Sequence, residues 1–364
     1  MTFPDRPPMD PTGMDRRQLF RLAGSVGLLS VALSVAPLVA APRVNREPVA
    51  FLLPLTGASA NLGLSMQRAA SLRLPFGGRP VLATAVDTNT GAAAAARAAI
   101  KGGARMIVGP VFSGDVRPVL AEAAGRVPVL SFSNDVALYE SGAFLLGITA
   151  SQLATAVLRY GRQRGLRRIG LLAGDGAWAT QVAATCARLQ GELGYELVPV
   201  ARPADLAGLG LALGRLTGGV PDALLVADAG EGFAAAARGL AGSGVQLLGM
   251  MQAVDYAPAA LQAMAGAWIA APDPTVFGTF ATAYQAQHGG TPGTIAALAY
   301  DAAGIVQTLR AQNRIDRAGL LAMEAYRGVT GTLKFRSDGS CVRELSILVA
   351  GPDGYQVAAA SASA

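Results

Sequence analysis

Arg105-Met106-Ile107-Val108-Gly109-Pro110-Val111-Phe112-Ser113-Gly114-Asp115 runs from an apolar stretch through a Gly-Pro turn into helix-forming residues that continue to Ala124. A second apolar stretch, 127–131, follows at once. A short β-branched run bounded by Gly, Pro or Asp reads as a buried strand. A helical segment between two such runs is the crossover that returns the chain to a parallel neighbour. The stretch therefore predicts one β-α-β unit of a parallel sheet.

The alternation extends in both directions. Upstream, 49–55 and 81–87 read as strands and 62–73 and 92–101 as helices, with 105–109, 115–124 and 127–131 completing the first half. Downstream the pattern restarts: helix 151–164, strand 168–173, helix 178–193, strand 196–201, helix 206–216, strand 223–228, helix 233–241 and strand 246–249. Two doubly wound α/β halves are the simplest account. Residues 267–271, with Pro272 and Pro274, form a third break. The helices 277–287 and 294–312 beyond it have no strands of their own and are expected to pack back onto the first half.

Composition agrees with a large folded chain. With 364 residues, 52% of them hydrophobic and 15% charged, the sequence can bury a substantial core and has the length of two domains. The net charge of +6 comes from arginines scattered singly, since lysine occurs only at Lys101 and Lys334. No dense basic run interleaved with aromatics is present, which argues against a nucleic-acid surface.

The N-terminus reads as an export signal. Asp15-Arg16-Arg17-Gln18-Leu19-Phe20-Arg21 is a twin-arginine n-region, and 22–41 follows without a charge. Met14 is an alternative start, which would make 1–13 an unstructured leader. An apolar run of this length could also be retained as an anchor, but Gly24, Gly27, Ser30, Ser34 and Pro37 favour a cleaved signal. A cut after Ala41 has small residues in place at Val39 and Ala41, although Pro42 would follow it. The expected compartment is the periplasm. No cysteine stands near the cut to carry a lipid, and the pairing of Cys186 with Cys341 is left open by sequence alone.

Catalytic motifs are missing. His288, the only histidine, precedes Gly289-Gly290, an ordinary helix ending. No phosphate-binding Gly-x-x-x-x-Gly-Lys loop occurs, and Gly208-Leu209-Gly210 lies inside an apolar helical run. Clustered metal ligands are absent, so neither a metal nor another cofactor is expected, and the chain does not read as an enzyme.

Five segments in order carry a resemblance: 49–57 (Val-Ala-Phe-Leu-Leu-Pro-Leu-Thr-Gly), 107–113 (Ile-Val-Gly-Pro-Val-Phe-Ser), 127–133 (Val-Pro-Val-Leu-Ser-Phe-Ser), 299–302 (Ala-Tyr-Asp-Ala) and 328–339 (Gly-Val-Thr-Gly-Thr-Leu-Lys-Phe-Arg-Ser-Asp-Gly). Over about residues 47–350 the chain resembles the type I periplasmic binding proteins of the leucine/isoleucine/valine group. Within that group the opening motif and Ser131-Phe132-Ser133-Asn134-Asp135 look most like the branch named penicillin-binding protein activators. The resemblance implies two doubly wound lobes joined by a three-crossing hinge: 47–149 plus 271–328, and 150–270 plus 329–358.

Ligands of open parallel α/β sheets sit beyond the carboxyl ends of the strands, where helix N-termini offer free amides. In the first lobe Ser113 is either the cap of its helix or a ligand for a carboxylate, the role its matching position has in the family. Ser131, Ser133 and Asp135 leave the next strand as a dense polar set or as an ordinary turn. By resemblance Ser133 and Asp135 hold the amino-acid end of a ligand and Leu62 forms a wall. In the second lobe Trp178 matches an aromatic that covers the ligand, or else is core. Asp228 lies at the end of the next strand, and Gln252 stands where amino-acid binders often carry a Glu for the ammonium. A neutral amide cannot replace that charge, so Asp228, Asp255 or Asp135 would have to.

Two functions follow. One is a receptor that closes on a small polar, amino-acid-like or amide ligand and hands it to an ABC permease. The other is a regulatory partner of a cell-wall synthase.

Overall fold

The computed structural model describes residues 48–72, 83–254 and 256–361. The twin-arginine segment, the apolar run after it, the proposed cut and Asp255 lie outside the described residues.

The first sheet is built as the opening stretch predicts. Strands β1 (Val49–Leu53), β2 (Ala83–Asp87), β3 (Met106–Val108), β4 (Val129–Ser131) and β5 (Phe144–Leu145) all run parallel in the order 2-1-3-4-5. Helices α1 (Ala60–Ala70), α2 (Ala92–Lys101) and α3 (Ser113–Ala123) supply the crossovers. Every residue of β1, β3 and β4 is buried, which is why these strands are apolar throughout except for Ser131 at the end of β4.

The chain then enters the second sheet through α4 (Ala150–Gln163). That helix opens on a full capping box: Gln152 donates its amide to the Thr149 hydroxyl (3.1 Å) and Thr149 donates its amide to the Gln152 side chain (3.0 Å). Strands β6 (Arg168–Leu172), β7 (Glu196–Pro199), β8 (Ala223–Val226), β9 (Gln246–Met250) and β10 (Trp268–Ala271) alternate with α5 (Ala177–Leu193), α6 (Leu209–Gly214), α7 (Gly230–Gly239) and α8 (Pro258–Ala263). Next come α9 (Pro274–His288), α10 (Thr294–Ala311), α11 (Arg317–Ala322), β11 (Tyr326–Gly328), β12 (Gly331–Phe335), β13 (Cys341–Arg343), β14 (Ser346–Gly351) and β15 (Gly354–Ala360).

Three sequence expectations need correction. Residues 267–271 are not a break: 268–271 form β10, hydrogen-bonded to β9 and β14, and Pro272 only ends it. The second sheet is mixed, in the order 15-14-10-9-8-6-7, because β14 and β15 join it antiparallel. The helix expected at 206–216 divides into a 3-10 turn, Leu206–Gly208, and the short α6. The expectation that α9 and α10 return to the first sheet holds: α10 lies along α1, and Phe280, Tyr284 and Tyr300 pack with Ala69 and Leu72. One apolar cluster runs through both sheets, from Phe51 and Leu53 through Leu153 and Val306 to Ile169 and Leu225. Cys186 and Cys341 are both buried and free, and burial pushes the Cys186 thiol up to about 12.

The chain passes between the two layers after β5, after β10 and after β13. A buried polar network ties the passage after β5 to the one after β13. Asp301 of α10 accepts from the amides of Val329 (2.8 Å) and Thr330 (3.0 Å) and from the Thr330 hydroxyl (2.5 Å). Arg343 donates to the Thr330 hydroxyl, to the Thr330 carbonyl (3.2 Å) and to the Leu146 carbonyl (2.6 Å). Leu145 donates to Gly339 (2.9 Å), and Gln152 donates from its side chain to the Cys341 carbonyl. Burial pushes the Asp301 carboxyl above its ordinary value, against the pull of the Thr330 hydroxyl, the Arg343 charge and the two amides. Gly328 must be glycine here, because a Cβ would stand 2.4 Å from Asp301 Oδ2.

Removing one member of such a set strands the others without partners. Asp301→Ala is expected to cost about 3–5 kcal/mol, the scale for breaking a buried charged pair from one side. Urea unfolding of the variant, read as the change in midpoint at constant slope, measures it.

Candidate functional site

In the first sheet the loops beyond β1, β3 and β4 are held by side chains at the strand ends. Asp87 accepts from the Leu55 amide (2.8 Å), the Thr56 hydroxyl (2.5 Å) and the Asn89 amide (3.0 Å), fixing the turn that leads to α1. The Thr56 hydroxyl, first among these, holds the Asp87 carboxyl below its usual range. Sequence reading missed this role, although Asp87 ends a predicted strand next to the quoted Leu-Thr-Gly motif. Leu62 lies in the first turn of α1, half-buried against the core.

Ser131, Ser133 and Asp135 form a ladder. The Ser131 hydroxyl donates to the Pro110 carbonyl (2.9 Å) and accepts from the Ser133 amide (3.1 Å). The Ser133 hydroxyl accepts from the Asp135 amide (3.2 Å), and the Asp135 carboxylate accepts from the Ala137 amide (3.0 Å). All three side chains therefore serve the turn reading. The same bonds bring the 131–135 loop beside the 109–113 loop, since the Phe132 amide also donates to Pro110 (3.0 Å).

Ser113 is not the cap of its helix. Phe112, with extended backbone, is the residue before the helix, so Ser113 is the first residue inside α3 and is exposed. A serine caps with its side chain only from the preceding position. Asp115, two residues on, sits in the same first turn, and burial pushes its carboxyl up.

In the second sheet the Ala227 amide donates to the Leu172 carbonyl (3.0 Å), which sets the ends of β6 and β8 side by side. Trp178 is the second residue of α5, half-buried against the core, and its buried Nε1 has no hydrogen-bond partner. Gln252 lies in a 3-10 turn directly after β9, and its buried Oε1 also lacks a partner. Asp228 is already engaged: it takes an ion pair from Arg202 at 2.5 Å, with side-chain exposures of 15% and 42%. An ammonium ligand would have to compete with that guanidinium. The pairing spans 26 residues, and no spacing rule reveals it from sequence.

Elsewhere, His288 ends α9 with its ring against Tyr284 (5.3 Å) and Gly289 following at φ +71°. Among the described residues no three His, Cys, Asp or Glu side chains cluster as a metal site. No described helix is long and apolar enough to cross a membrane.

Helix-flanked sheets whose strand ends carry hydroxyls, one aromatic and two unpaired polar atoms are the build of an α/β binding protein. The family model of the periplasmic binding proteins matches residues 48–354, and the chain belongs to that family. A chain assigned to a branched-chain amino acid ABC transporter of Rhodospirillum rubrum superposes with a TM-score of 0.71 at 23% identity, covering 85% of this chain and 99% of its own. The C-domain of LpoA from Haemophilus influenzae, a regulator of PBP1A, gives 0.67 at 15% identity over 86% and 100%. LivJ of Streptococcus pneumoniae, solved with isoleucine, gives 0.58 at 18% over 86% and 98%. At these identities the likeness is one of fold, the type I periplasmic binding protein fold. No curated protein sequence matches the chain.

One backbone position carries the first-sheet cluster. Gly109 has φ +111°, and a Cβ there would stand 2.4 Å from the Leu52 carbonyl. Gly109→Ala is expected to destabilise by more than about 1 kcal/mol, because the conformation is closed to alanine. Thermal unfolding against wild type tests it, and an unchanged midpoint would show that the loop has another way to turn.

Proposed function

We propose that this protein is an extracytoplasmic solute-binding protein of an ABC transporter, not an enzyme. In this reading two lobes, 47–149 plus 271–328 and 150–270 plus 329–358, close on a small amino-acid-like or amide ligand. The observation that carries it is the pair of unpartnered atoms, Trp178 Nε1 and Gln252 Oε1. One is a donor and the other an acceptor, and both follow strands of the same sheet, separated in it by β8 alone. A buried polar group without a partner costs about 1–3 kcal/mol, a cost that a ligand with matching groups removes. From the first lobe, Ser133 accepts in its turn bond and so keeps its hydroxyl proton for a ligand, and Ser113 stands exposed at a helix start. Leu62, Ser131, Asp135 and Asp228 complete the proposed lining.

A second reading is supported by the Arg202–Asp228 pair. With Asp228 engaged and Gln252 neutral, neither of these two positions offers a free carboxylate for the ammonium of an α-amino acid. The protein would then regulate a cell-wall synthase, as the partner of a penicillin-binding protein, using the fold it shares with LpoA.

Export through the twin-arginine route belongs to the same proposal. A reporter fused after Ala41 is expected to reach the periplasm, and an Arg16→Lys, Arg17→Lys double variant to stay inside. Normal export of that variant would rule out the route.

A thermal-shift screen of amino acids, amides and peptidoglycan fragments identifies the ligand. Calorimetry with it is expected to show a loss of about 2–4 kcal/mol for Trp178→Ala, the scale of a buried aromatic anchor. Ser113→Ala is expected to lose about 1–2 kcal/mol, one hydrogen bond to a charged group. Unchanged affinity in both variants would move the working site to the surface and favour the regulatory reading.

A further inference from the structure

A cavity of about 500 Å³ lies away from these strand ends, and none of the eight candidate residues lines it. One wall is a stripe of α4, where Gln152, Thr155, Arg159 and Gln163 recur at helical spacing. The facing wall is the turn between β12 and β13 with β13 itself, contributing Arg336, Asp338, Ser340 and Arg343, and the end of β15 closes the rim. Four arginines line this space, Arg159, Arg188, Arg336 and Arg343, against the single carboxylate of Asp338.

Three of those charges have an acid in reach. Arg188 pairs with Glu192 at 2.5 Å, Arg336 acts on Asp338, and Arg343 acts on Asp301. Arg159 has no ion pair among the described residues and is half-buried. The walls also hold unspent hydrogen-bonding capacity. Arg343 is 3% exposed, yet its Nε has no partner. Tyr139, Ser151 and Gln163 add neutral polar groups to the lining.

We propose that this cavity is a second ligand site, distinct from the strand-end cluster, for a small organic anion whose carboxylate or phosphate is held by Arg159. A guanidinium offers a planar fork of donors that fits either oxyanion, and a concave site excludes the water that weakens such a bond at the surface. The uncompensated charge is single, so the bound group is a monoanion or the one anionic end of a larger molecule. The site spans two structural layers. Its α4 wall packs on β9, β10 and β14 of the second sheet, whereas the β12–β13 turn is hydrogen-bonded to the first passage through Leu145 and Glu140.

The structure supplies its own reporter. Tyr160 lines the cavity and its ring packs edge-on against Trp268, with centroids 4.9 Å apart. Citrate and inorganic phosphate are titrated separately into the full-length protein, with chloride at matched ionic strength as the reference, and followed by tryptophan fluorescence and calorimetry. Saturable binding of at least one probe is expected. It should weaken at least tenfold in Arg159→Gln, while the melting temperature of that variant without ligand stays unchanged. A response to citrate alone assigns a carboxylate ligand, and a response to phosphate alone assigns a phosphate. Trp178→Ala should leave this binding intact, so that failure of the strand-end site and failure of this one are told apart. No saturable binding of either probe, equal binding in Arg159→Gln, or loss of binding in Trp178→Ala would each overturn the proposal.

Discussion

Asp301 and Arg343 are buried together, and neither could be tolerated there alone. Taking a carboxylate or a guanidinium out of water costs several kcal/mol per ion, so every lone pair and most donors must find a partner in fixed geometry. The partners come from distant parts of the chain. Thr330 lies between the two groups and bonds to both, and Arg343 reaches back to the carbonyl of Leu146. Four points separated by nearly two hundred residues must therefore meet before either charge is satisfied. Apolar packing alone would leave the sheets free to slide, because it is non-directional. The directional bonds at the passages set one arrangement, and the single apolar cluster running through both sheets fills in around it.

The parallel strands were legible because burial on both faces makes β1 and β3 wholly apolar and leaves β4 one polar residue, Ser131 at its end. Helix α2 was legible to the residue, since an alanine-rich segment between Gly91 and Gly102 has clear ends. Strand β10 was not. Pro272 and Pro274 mark where an element stops and the next starts, and they say nothing about whether the residues before them are paired. The strands β11 to β15 were hidden for a different reason. In β12 burial is interrupted by the exposed Lys334, and β15 is mostly exposed, so neither shows the continuous apolar run of a parallel strand. Their pairing is antiparallel, local except where β14 joins β10, a pattern that the β-α-β rhythm of the preceding chain does not announce.

The candidate site was legible as a set of loops and much less as a set of roles. Strand ends follow from the strands, so the positions of Ser131, Ser133, Trp178 and Gln252 came with the fold. Which hydrogen bonds those side chains make did not. Ser113 missed its cap by one residue because Phe112 already has the extended backbone of the position before a helix. Asp228 looked available for a ligand cation until Arg202, on the neighbouring loop after β7, was seen to hold it. Both outcomes depend on where a backbone bends or which loop lies alongside, and single-sequence periodicity carries neither.

The two readings of the strand-end site differ in what they require of unsatisfied groups. A protein that works only through its outer surface gains nothing from burying a tryptophan N–H and an amide oxygen without partners, and packing would ordinarily satisfy them or replace them with apolar atoms. Other strand ends bond their side chains to the loops: Asp87 takes three bonds, and Ser131, Ser133 and Asp135 each accept one amide of their turn. Trp178 Nε1 and Gln252 Oε1 are unpaired at strand ends whose neighbouring loops are bonded, and a ligand that supplies the missing partners would account for both. The Arg202–Asp228 pair then limits the kind of ligand. In the solute-binding reading, with that carboxylate occupied and a neutral amide at 252, Trp178 and Gln252 would recognise a ligand through an aromatic surface and hydrogen bonding, which suits an amide or another neutral polar group better than a free ammonium.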